Sequence, residues 1–436
     1  MKKISIFLVC AALSSAAVQA QTPTPPTQPS TQEQAPATAQ DLVPAVKLGN
    51  NISAKFGGFV RAEYYIDNRE IVGAVDDLFG FFPEAPLLDA NGHDLNKVVR
   101  QNLSTQATRF NSLFTGPDFL GAKSSAFFEF DFSGGNTVNV RLRHAWAKLS
   151  WQKADVLIGK TWNPLAETPF PAVAGLHTGI PYRPFGRGDQ IRVTYKPTEK
   201  LSVVAAGVFQ TEHKTTLDPS QSADIRSNPI PDFHLQVHYK TPSFSAGALS
   251  EYKVVRPATY TSNAAGEKFS TDVTLPSYAL GAYATYKKDL FNVIASAIYG
   301  QNLSELFQQG GYAVTEIDPA TGAKEYSAST TSSYWIHATY GKTWVVGLFG
   351  GYQKNLGFSN NILAGGSNFF GRWQNIDHLY RISPSLKYVY KQWAFQAEVD
   401  YNVAAYGTVD YADKGKVKDA KETSGVRGIL ATTFYF

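Results

Sequence analysis

The chain has 436 residues, of which 13% are aromatic and 35 are glycine, and its formal net charge is +4. A charge this small on a chain this long argues against a nucleic-acid partner. After residue 20 no stretch approaches the roughly 18–20 consecutive apolar residues that a membrane-spanning helix needs. The hydrophobic residues are therefore distributed over many short segments.

The N-terminus has the layout of a secretory signal peptide. Lys2 and Lys3 precede an apolar run that ends at Leu13, and small residues follow up to Ala20, where we expect cleavage. The single cysteine, Cys10, lies inside this segment, so the mature chain has no disulfide. Residues 21–50 begin with a stretch rich in Pro, Thr and Gln that cannot bury enough apolar area to fold, and we predict a flexible periplasmic tether.

From residue 51 to residue 436 the sequence alternates between apolar and polar residues in short runs, which is the pattern of β-strands. The predicted strands, about sixteen in number, are 54–66, 103–114, 120–131, 137–149, 153–162, 189–196, 200–209, 231–240, 243–253, 276–287, 290–301, 333–341, 343–354, 379–390, 392–402 and 426–436. Short and long connections alternate between them, except at the brief link 133–136. This separation is typical of a transmembrane up-and-down antiparallel β-barrel, with short periplasmic turns and long external loops.

The aromatic residues and the last strand support a barrel in the outer membrane. The last strand ends at Phe436, a terminus that the barrel-assembly machinery recognises. Aromatic residues near strand ends predict interfacial girdles: Trp146, Trp151, Trp162, Trp344, Trp393, Tyr286, Tyr340 and Tyr390. In the strand 137–149, Val140 and Leu142 are predicted to face lipid or a neighbouring subunit. His144 is assigned to the same outward face, at a subunit contact.

The sequence resembles the DcaP-like trimeric porins of Gram-negative outer membranes. The resemblance lies in six segments that cover roughly a third of the chain: FGGFVRAEYYID (56–67), STQATRF (104–110), FFEFDFSGG (127–135), VRLRHAWAKL (140–149), VLIGKTWNP (156–164) and GDQIRVTY (188–195). It implies a barrel of sixteen strands, a homotrimer and the diffusion of small, often anionic solutes. The family carries a helical, coiled-coil-like segment near its N-terminus, whereas residues 21–46 contain too many prolines for a helix.

Catalytic and cofactor motifs are missing from the sequence. It contains no Gly-x-Ser-x-Gly elbow, no His-Glu-x-x-His pair and no cysteine cluster. The acidic segment Asp89–Asp94 breaks the ligand order of a calcium loop, and we interpret it as a solvated external loop. We therefore expect no enzymatic activity, no cofactor and no metal.

Charged residues on the inward face of the strands are the candidate pore lining. By the parity of the strands these include Arg61, Arg109, Glu129, Asp131, Arg141, Arg143 and Arg192. One interpretation is an arginine track that favours anions; the other is that these charges pair with one another and keep the wall wet.

The second long loop, residues 163–188, combines Pro and Gly with apolar residues, and we call it the constriction loop. We predict that it folds into the barrel, narrows the pore and presents Glu167, His177, Arg183 and Arg187; the alternative is an apolar cap at the trimer rim. The predicted function is passive diffusion of small hydrophilic solutes with a mild preference for anions. A structural or adhesive surface barrel with a blocked lumen is the alternative.

Overall fold

The computed structural model describes residues 45–49, 51–134, 138–219 and 224–436. The predicted signal peptide and residues 21–44 of the predicted tether lie outside these residues. Val46–Gly49, which the sequence analysis assigned to the tether, forms strand β1 and pairs with the start of the next strand. The tether prediction therefore extended too far towards the barrel.

Antiparallel strands occupy sixteen positions around a closed barrel, which confirms the predicted fold class. The fifth and sixth strands of the chain share one position, on either side of a turn at 105–108. The barrel strands are β2 (Ile52–Asp67), β5 (Arg100–Ser104) with β6 (Arg109–Thr115), β7 (Lys123–Asp131), β8 (Arg141–Ser150), β9 (Ala154–Trp162), β10 (Arg187–Tyr195), β11 (Leu201–Phe209), β12 (Asp232–Lys240), β13 (Phe244–Val255), β16 (Leu275–Lys288), β17 (Phe291–Gln301), β19 (Lys324–Gly341), β20 (Trp344–Phe358), β22 (Ile376–Tyr390), β23 (Trp393–Asp410) and β24 (Lys416–Tyr435).

The barrel closes where its first and last strands meet. Phe59–Asp67 of β2 pairs with Arg427–Tyr435 of β24. Beyond β24, Gly58 and Phe436 exchange two backbone hydrogen bonds of 3.0 and 3.1 Å. Closure leaves neither of these strands as an open edge, which is a requirement for a sheet in lipid.

The external loops contain shorter elements that the sequence analysis left as loops. The strands are β3 (Ile71–Ala74), β4 (Phe79–Pro83), β14 (Tyr260–Ser262), β15 (Lys268–Ser270), β18 (Gly310–Ile317) and β21 (Phe369–Arg372), and the 3-10 helices are Pro164–Ala166, Ile225–Ser227, Ser304–Leu306 and Gly366–Asn368. The β3–β4 hairpin belongs to the first external loop. Strand β18 pairs with the first part of β19 on one side and with β21 on the other.

The strands alternate between an apolar outer face and a polar inner face. In β12, Phe233, Leu235 and Val237 are exposed on the outside, whereas Asp232, His234 and Gln236 are buried on the inside. An exposed apolar belt of this kind is stable only against lipid or another subunit. In the part of the chain that the structure describes, no helix is both long enough and apolar enough to span a bilayer.

Most of the predicted girdle residues point outward. Trp344, Trp393, Tyr286, Tyr340 and Tyr390 are exposed on the outer surface, and Trp151 is partly exposed. Two assignments to the girdle are wrong. Trp146 and Trp162 are 5% and 0% exposed; Trp146 stacks on Phe127, and Trp162 packs against Phe185 of the constriction loop.

A β-bulge in β8 explains why Trp146 and His144 were assigned to the wrong face. Glu129 pairs with His144, but the next residue, Phe130, pairs with Leu142, so Arg143 is an extra residue in the ladder. Consequently both Arg143 and His144 turn inward and are buried. The predicted outward subunit contact of His144 is therefore wrong: its Nδ1 lies 3.1 Å from the Thr161 hydroxyl.

The interior holds a hydrophobic cluster, here called the lumen cluster, which inward-folded loops build against the wall. The β3–β4 hairpin contributes Phe79, Phe81 and Phe82, and the constriction loop contributes Val173, Leu176, Ile180, Tyr182 and Phe185, among others. Wall residues such as Tyr65, Trp335 and Phe349 complete it. Apolar packing therefore holds these loops inside the barrel.

Candidate functional site

The seven wall residues predicted from strand parity all lie on the inner surface. Arg61, Arg109, Arg143, Glu129 and Asp131 are at most 2% exposed, and the side chains of Arg141 and Arg192 are 13% and 11% exposed. Each of these seven residues belongs to a hydrogen-bonded strand, so the strand fixes the inward direction of its side chain.

An ion-pair network connects β7, β8 and the loop after β11. Arg143 donates to Glu129 at 2.7 Å and to Asp131 at 2.8 Å. Arg141 donates to both oxygens of Asp131, at 3.0 and 2.7 Å, and lies 3.6 Å from Glu212. These wall charges are therefore largely paired.

Glu212, in the loop at 210–231, was not among the predicted site residues. It accepts two hydrogen bonds from Arg187, of 2.9 and 2.5 Å. Burial opposes its ionisation, but the guanidinium groups of Arg187 and Arg141 outweigh that effect and lower the pKa of Glu212 to about 2. Burial also lowers the pKa of the neighbouring His213 to about 4, so this imidazole is neutral at pH 7. Glu212 is thus the carboxylate that ties this loop to the start of β10.

Of the three remaining wall arginines, two contact the constriction loop and one lies over an aromatic ring of β2. Arg61 bonds Glu63 at 2.9 Å and also donates to the Ala174 carbonyl. Arg192 bonds Glu167 and donates to the Trp162 carbonyl at 2.9 Å. Arg109 lies over the Phe59 ring, 5.2 Å from its centroid. Two of these arginines therefore fix the position of the loop.

Trp162, the last residue of β9, has guanidinium groups around its ring. The guanidinium carbons of Arg143, Arg183 and Arg187 lie 5.7, 5.8 and 4.5 Å from the ring centroid, within the range of cation–π contacts. Arg183 stacks on Phe170 at 3.6 Å and donates to the Ala166 carbonyl. The described residues place no carboxylate within ion-pair distance of Arg183, and burial and Arg187 lower the pKa of its guanidinium.

His177 of the constriction loop meets two carboxylates of β23. Its Nε2 lies 3.4 Å from Glu398 Oε1 and 3.4 Å from Asp400 Oδ2, and all three side chains are fully buried. Among the described residues, these three atoms have the spacing of metal ligands. However, the Nδ1 of His177 faces the Gly179 N–H at 3.1 Å and the Arg381 Nη1 at 2.9 Å. Two donors at Nδ1 place the ring proton on Nε2, which removes the lone pair that a metal would need.

The β3–β4 hairpin is a second inward element that the sequence analysis missed. Arg381 donates to the carbonyls of Gly80 and Phe81 at 2.6 and 2.9 Å, and Arg427 donates to the Asp77 carbonyl at 2.7 Å. The hairpin then packs its phenylalanines on Phe185, Phe307 and Trp373. The apolar run FGFF at 79–82, inside an otherwise polar loop, was the signal in the sequence.

The constriction loop and the β3–β4 hairpin fold into the barrel, and together with the wall they place charged and aromatic side chains along its interior. The acidic residues of the first loop are used locally: Asp89 accepts hydrogen bonds from the Asn91 and His93 backbone N–H groups. Near Trp162, the guanidinium groups of Arg141, Arg143 and Arg187 face the carboxylates of Glu129, Asp131 and Glu212, and Arg183 adds a fourth guanidinium with no described carboxylate within ion-pair distance. The local balance is therefore cationic.

No protein-family model matches the sequence, and no curated protein matches it either. Solved structures do match. The outer membrane channel DcaP of Acinetobacter baumannii has a TM-score of 0.65 at 16% identity, over 90% of this chain and 99% of that chain. OmpT of Vibrio cholerae has a TM-score of 0.54 at 10% identity, over 90% of this chain and 100% of that one.

An anion-selective porin from Comamonas acidovorans has a TM-score of 0.53 at 13% identity, over 88% of this chain and 100% of its own. Identities this low establish the fold and not the activity. The predicted resemblance to DcaP-like porins is confirmed at that level. The chain has the sixteen-stranded barrel fold of these outer-membrane proteins.

Proposed function

We propose that the protein is an outer-membrane porin through which small hydrophilic solutes diffuse passively, with a mild preference for anions. The closed barrel with an apolar outer belt and a charged interior supports a pore in a lipid bilayer. DcaP of Acinetobacter baumannii, which has the same fold, is an outer membrane channel. On this proposal the constriction loop sets the narrowest part of the pathway.

The anion preference is supported by the excess of guanidinium groups around Trp162. Arg183 is the residue to test, because the described residues place no carboxylate within ion-pair distance of its guanidinium, whereas Arg143 and Arg187 are paired. An uncompensated cation beside a low-dielectric wall attracts anions into the pathway and repels cations.

Reversal potentials in planar bilayers under a salt gradient test this assignment. Arg183→Met should shift the reversal potential towards cation preference, without leaving a buried carboxylate unpaired. Arg226→Gln is the matched control, since it removes one arginine charge from an exposed external site paired with Asp224. If both variants change the reversal potential equally, or neither does, Arg183 does not set the selectivity.

The width of the pathway is tested by excising Phe170–Arg183 from the constriction loop. Removing this segment should raise single-channel conductance, because it takes away a part of the lumen cluster that narrows the barrel. Unchanged or lower conductance would favour a loop that only packs against the wall.

We further propose a homotrimer in outer-membrane lipid. Strands β6 to β12 have only 7–10 residues, whereas β19 to β24 have 15–20, apart from the short loop strand β21. With a 45° tilt and a rise of about 3.3 Å per residue, nine residues span roughly 20 Å, less than the ~25 Å apolar band of such barrels. We therefore expect a neighbouring subunit, and not lipid, to cover the outer face of these short strands. This face carries the paired rings Phe110–Phe130 and Phe114–Phe128.

One observation favours the alternative, a surface barrel with a blocked lumen. The lumen cluster joins the β3–β4 hairpin to the constriction loop through side chains that are nearly all fully buried. The same bilayer recordings distinguish the two functions: stepwise conductance supports the porin, and its absence from correctly folded protein supports the blocked barrel.

A further inference from the structure

Three short turns at one end of the barrel are joined into a continuous rim. They connect β16 to β17, β19 to β20 and β22 to β23, at residues 289–290, 342–343 and 391–392. The Gly341 N–H donates to the Leu290 carbonyl at 3.0 Å, and the Val389 N–H donates to the Thr343 carbonyl at 2.9 Å. These backbone hydrogen bonds fix the positions of the three turns relative to one another.

Each of the three turns carries an exposed lysine: Lys288, Lys342 and Lys391. Lys288 pairs across the sheet with Phe291, which is exposed on the outer surface, so the two side chains share that face. The Lys391 ammonium lies 5.4 Å from the centroid of the outward-facing Tyr390 ring. We call these three residues the lysine rim.

The positive charge of the lysine rim is not neutralised by the protein. Among the described residues, no carboxylate lies within ion-pair distance of Lys288, Lys342 or Lys391. Asp289 is the only acidic residue in these turns, and Lys287 is a fourth basic one. The rim therefore presents an excess of cations on the outer surface of the barrel.

The lysine rim lies directly beside exposed aromatic residues. Tyr340 and Trp344 flank Lys342, and Tyr390 and Trp393 flank Lys391; all four rings are exposed on the outer surface. Tyrosine and tryptophan at the ends of membrane strands lie at the depth of the lipid headgroups. A lysine that extends from this depth on its flexible stem places its ammonium group among the headgroup phosphates.

The position of the rim around the barrel leaves it open to lipid. The short strands that we propose as the subunit contact are β6 to β12, whereas the rim lies between β16 and β23. In the proposed outer-membrane location, the short turns face the periplasm. The rim therefore meets the periplasmic leaflet of the membrane.

We infer that the lysine rim binds the headgroups of anionic phospholipids. The ammonium groups complement the phosphates in charge, and a group of lysines beside a membrane surface attracts anionic lipid. The inference rests on the proposed membrane location but not on whether the barrel conducts.

Quenching of tryptophan fluorescence by brominated lipids measures this binding. Trp344 and Trp393, at 59% and 41% exposure, are the reporters because each lies two residues from a rim lysine. Trp151, which is partly exposed at another short turn, is replaced by Phe to remove its signal. The barrel is refolded into phosphatidylcholine vesicles that contain either brominated phosphatidylcholine or brominated phosphatidylglycerol.

The native rim should select the anionic lipid over the neutral one by about fivefold for each lysine in contact, since a lysine near an anionic surface contributes about 1 kcal/mol. The selection should weaken as the salt concentration rises. In the variant with Lys288→Gln, Lys342→Gln and Lys391→Gln, both lipids should quench equally. The same three positions changed to Arg should keep the selection.

The matched control removes three exposed lysines from the external loops: Lys97→Gln, Lys214→Gln and Lys421→Gln. It should keep the native selection, and an equal loss in both glutamine variants would assign the effect to net charge and overturn the inference.

Two further results would overturn it. One is equal quenching by both lipids in the native barrel; if the rim lysines then mediate sedimentation with peptidoglycan sacculi, their partner is an anionic polymer. The other is a selection that survives in the rim variant with glutamines. Absence of quenching by either lipid is a different result, because it would refute the membrane location itself.

Discussion

Arg143 offers the sharpest test of the interior electrostatics. Its side chain is 1% exposed and bridges Glu129 and Asp131 from the bulge in β8. Arg143→Met keeps most of the length of the side chain but leaves two buried carboxylates facing each other, with Arg141 as the cation still bonded to Asp131. Breaking a buried ion pair by removing one partner costs about 3–5 kcal/mol, and we expect the free energy of unfolding to fall by this amount.

The assay is reversible urea unfolding in detergent micelles or lipid vesicles, followed by tryptophan fluorescence. The double variant Arg143→Met with Glu129→Gln should recover a large part of the loss, because it removes one of the two buried carboxylate charges that Arg143 neutralises. Arg226→Gln, at the external surface, should leave the unfolding midpoint unchanged. A loss below about 1 kcal/mol for Arg143→Met would mean that water solvates this network, as at an exposed ion pair, and would refute our description of a buried one.

Four further predictions follow from the fold. Leu348→Arg, on the outer face of β20, should reduce the free energy of unfolding in lipid vesicles by about 2–4 kcal/mol if the residue lies near the bilayer midplane; an unchanged value would place it outside the apolar belt. Because the pKa of Glu212 is lowered from 4.5 to about 2, its stabilising effect is complete above pH 4.5 and is lost as the pH falls towards 2; Glu212→Gln should flatten this part of the pH–stability curve. Deleting Phe436 should lower surface levels in cells while the purified barrel still folds in detergent, and normal surface levels would contradict its role in assembly. Deleting residues 21–44 should leave a heat-modifiable barrel in the outer membrane, and loss of assembly would show that this segment takes part in folding.

The sequence was sufficient to predict the barrel because lipid on one side and water on the other impose a period of two on every strand. Where that constraint ends, so does the accuracy of prediction. β24 begins at Lys416, ten residues before its predicted start, because Lys416–Ser424 is polar on both faces and extends beyond the apolar belt. β19 begins at Lys324, before its predicted start, for the same reason. β23 continues to Asp410, past its predicted end at residue 402, because it pairs with the extended part of β24.

The alternating pattern of the sequence does not reveal the bulge at Arg143. This single extra residue reverses the inward and outward assignment of the residues that follow it in β8. Trp146 was therefore assigned to lipid although it lies inside. Within the candidate site, parity identified the wall arginines together with their wall partners Glu129 and Asp131, but not the partners that the loops supply. Glu212 and the β3–β4 hairpin approach from loops far away in the chain, and sequence spacing carries no information about such contacts.

The pairing of β2 with β24 has a consequence for the rate at which the barrel folds. Contacts across this seam join residues that are about as far apart as the chain allows, such as Arg61 with Thr433 and Asp67 with Arg427, 372 and 360 positions apart. All other neighbouring barrel strands are sequential hairpins or are joined by a single loop. The entropic cost of closing a loop grows with the logarithm of the number of residues between the two contacting segments. Pairing β2 with β24 therefore has a higher entropic cost than pairing any two strands that are sequential in the barrel. An open sheet with two unpaired edges should therefore accumulate before closure, and added strand-like peptides that match β24 should trap it and slow the appearance of the closed barrel.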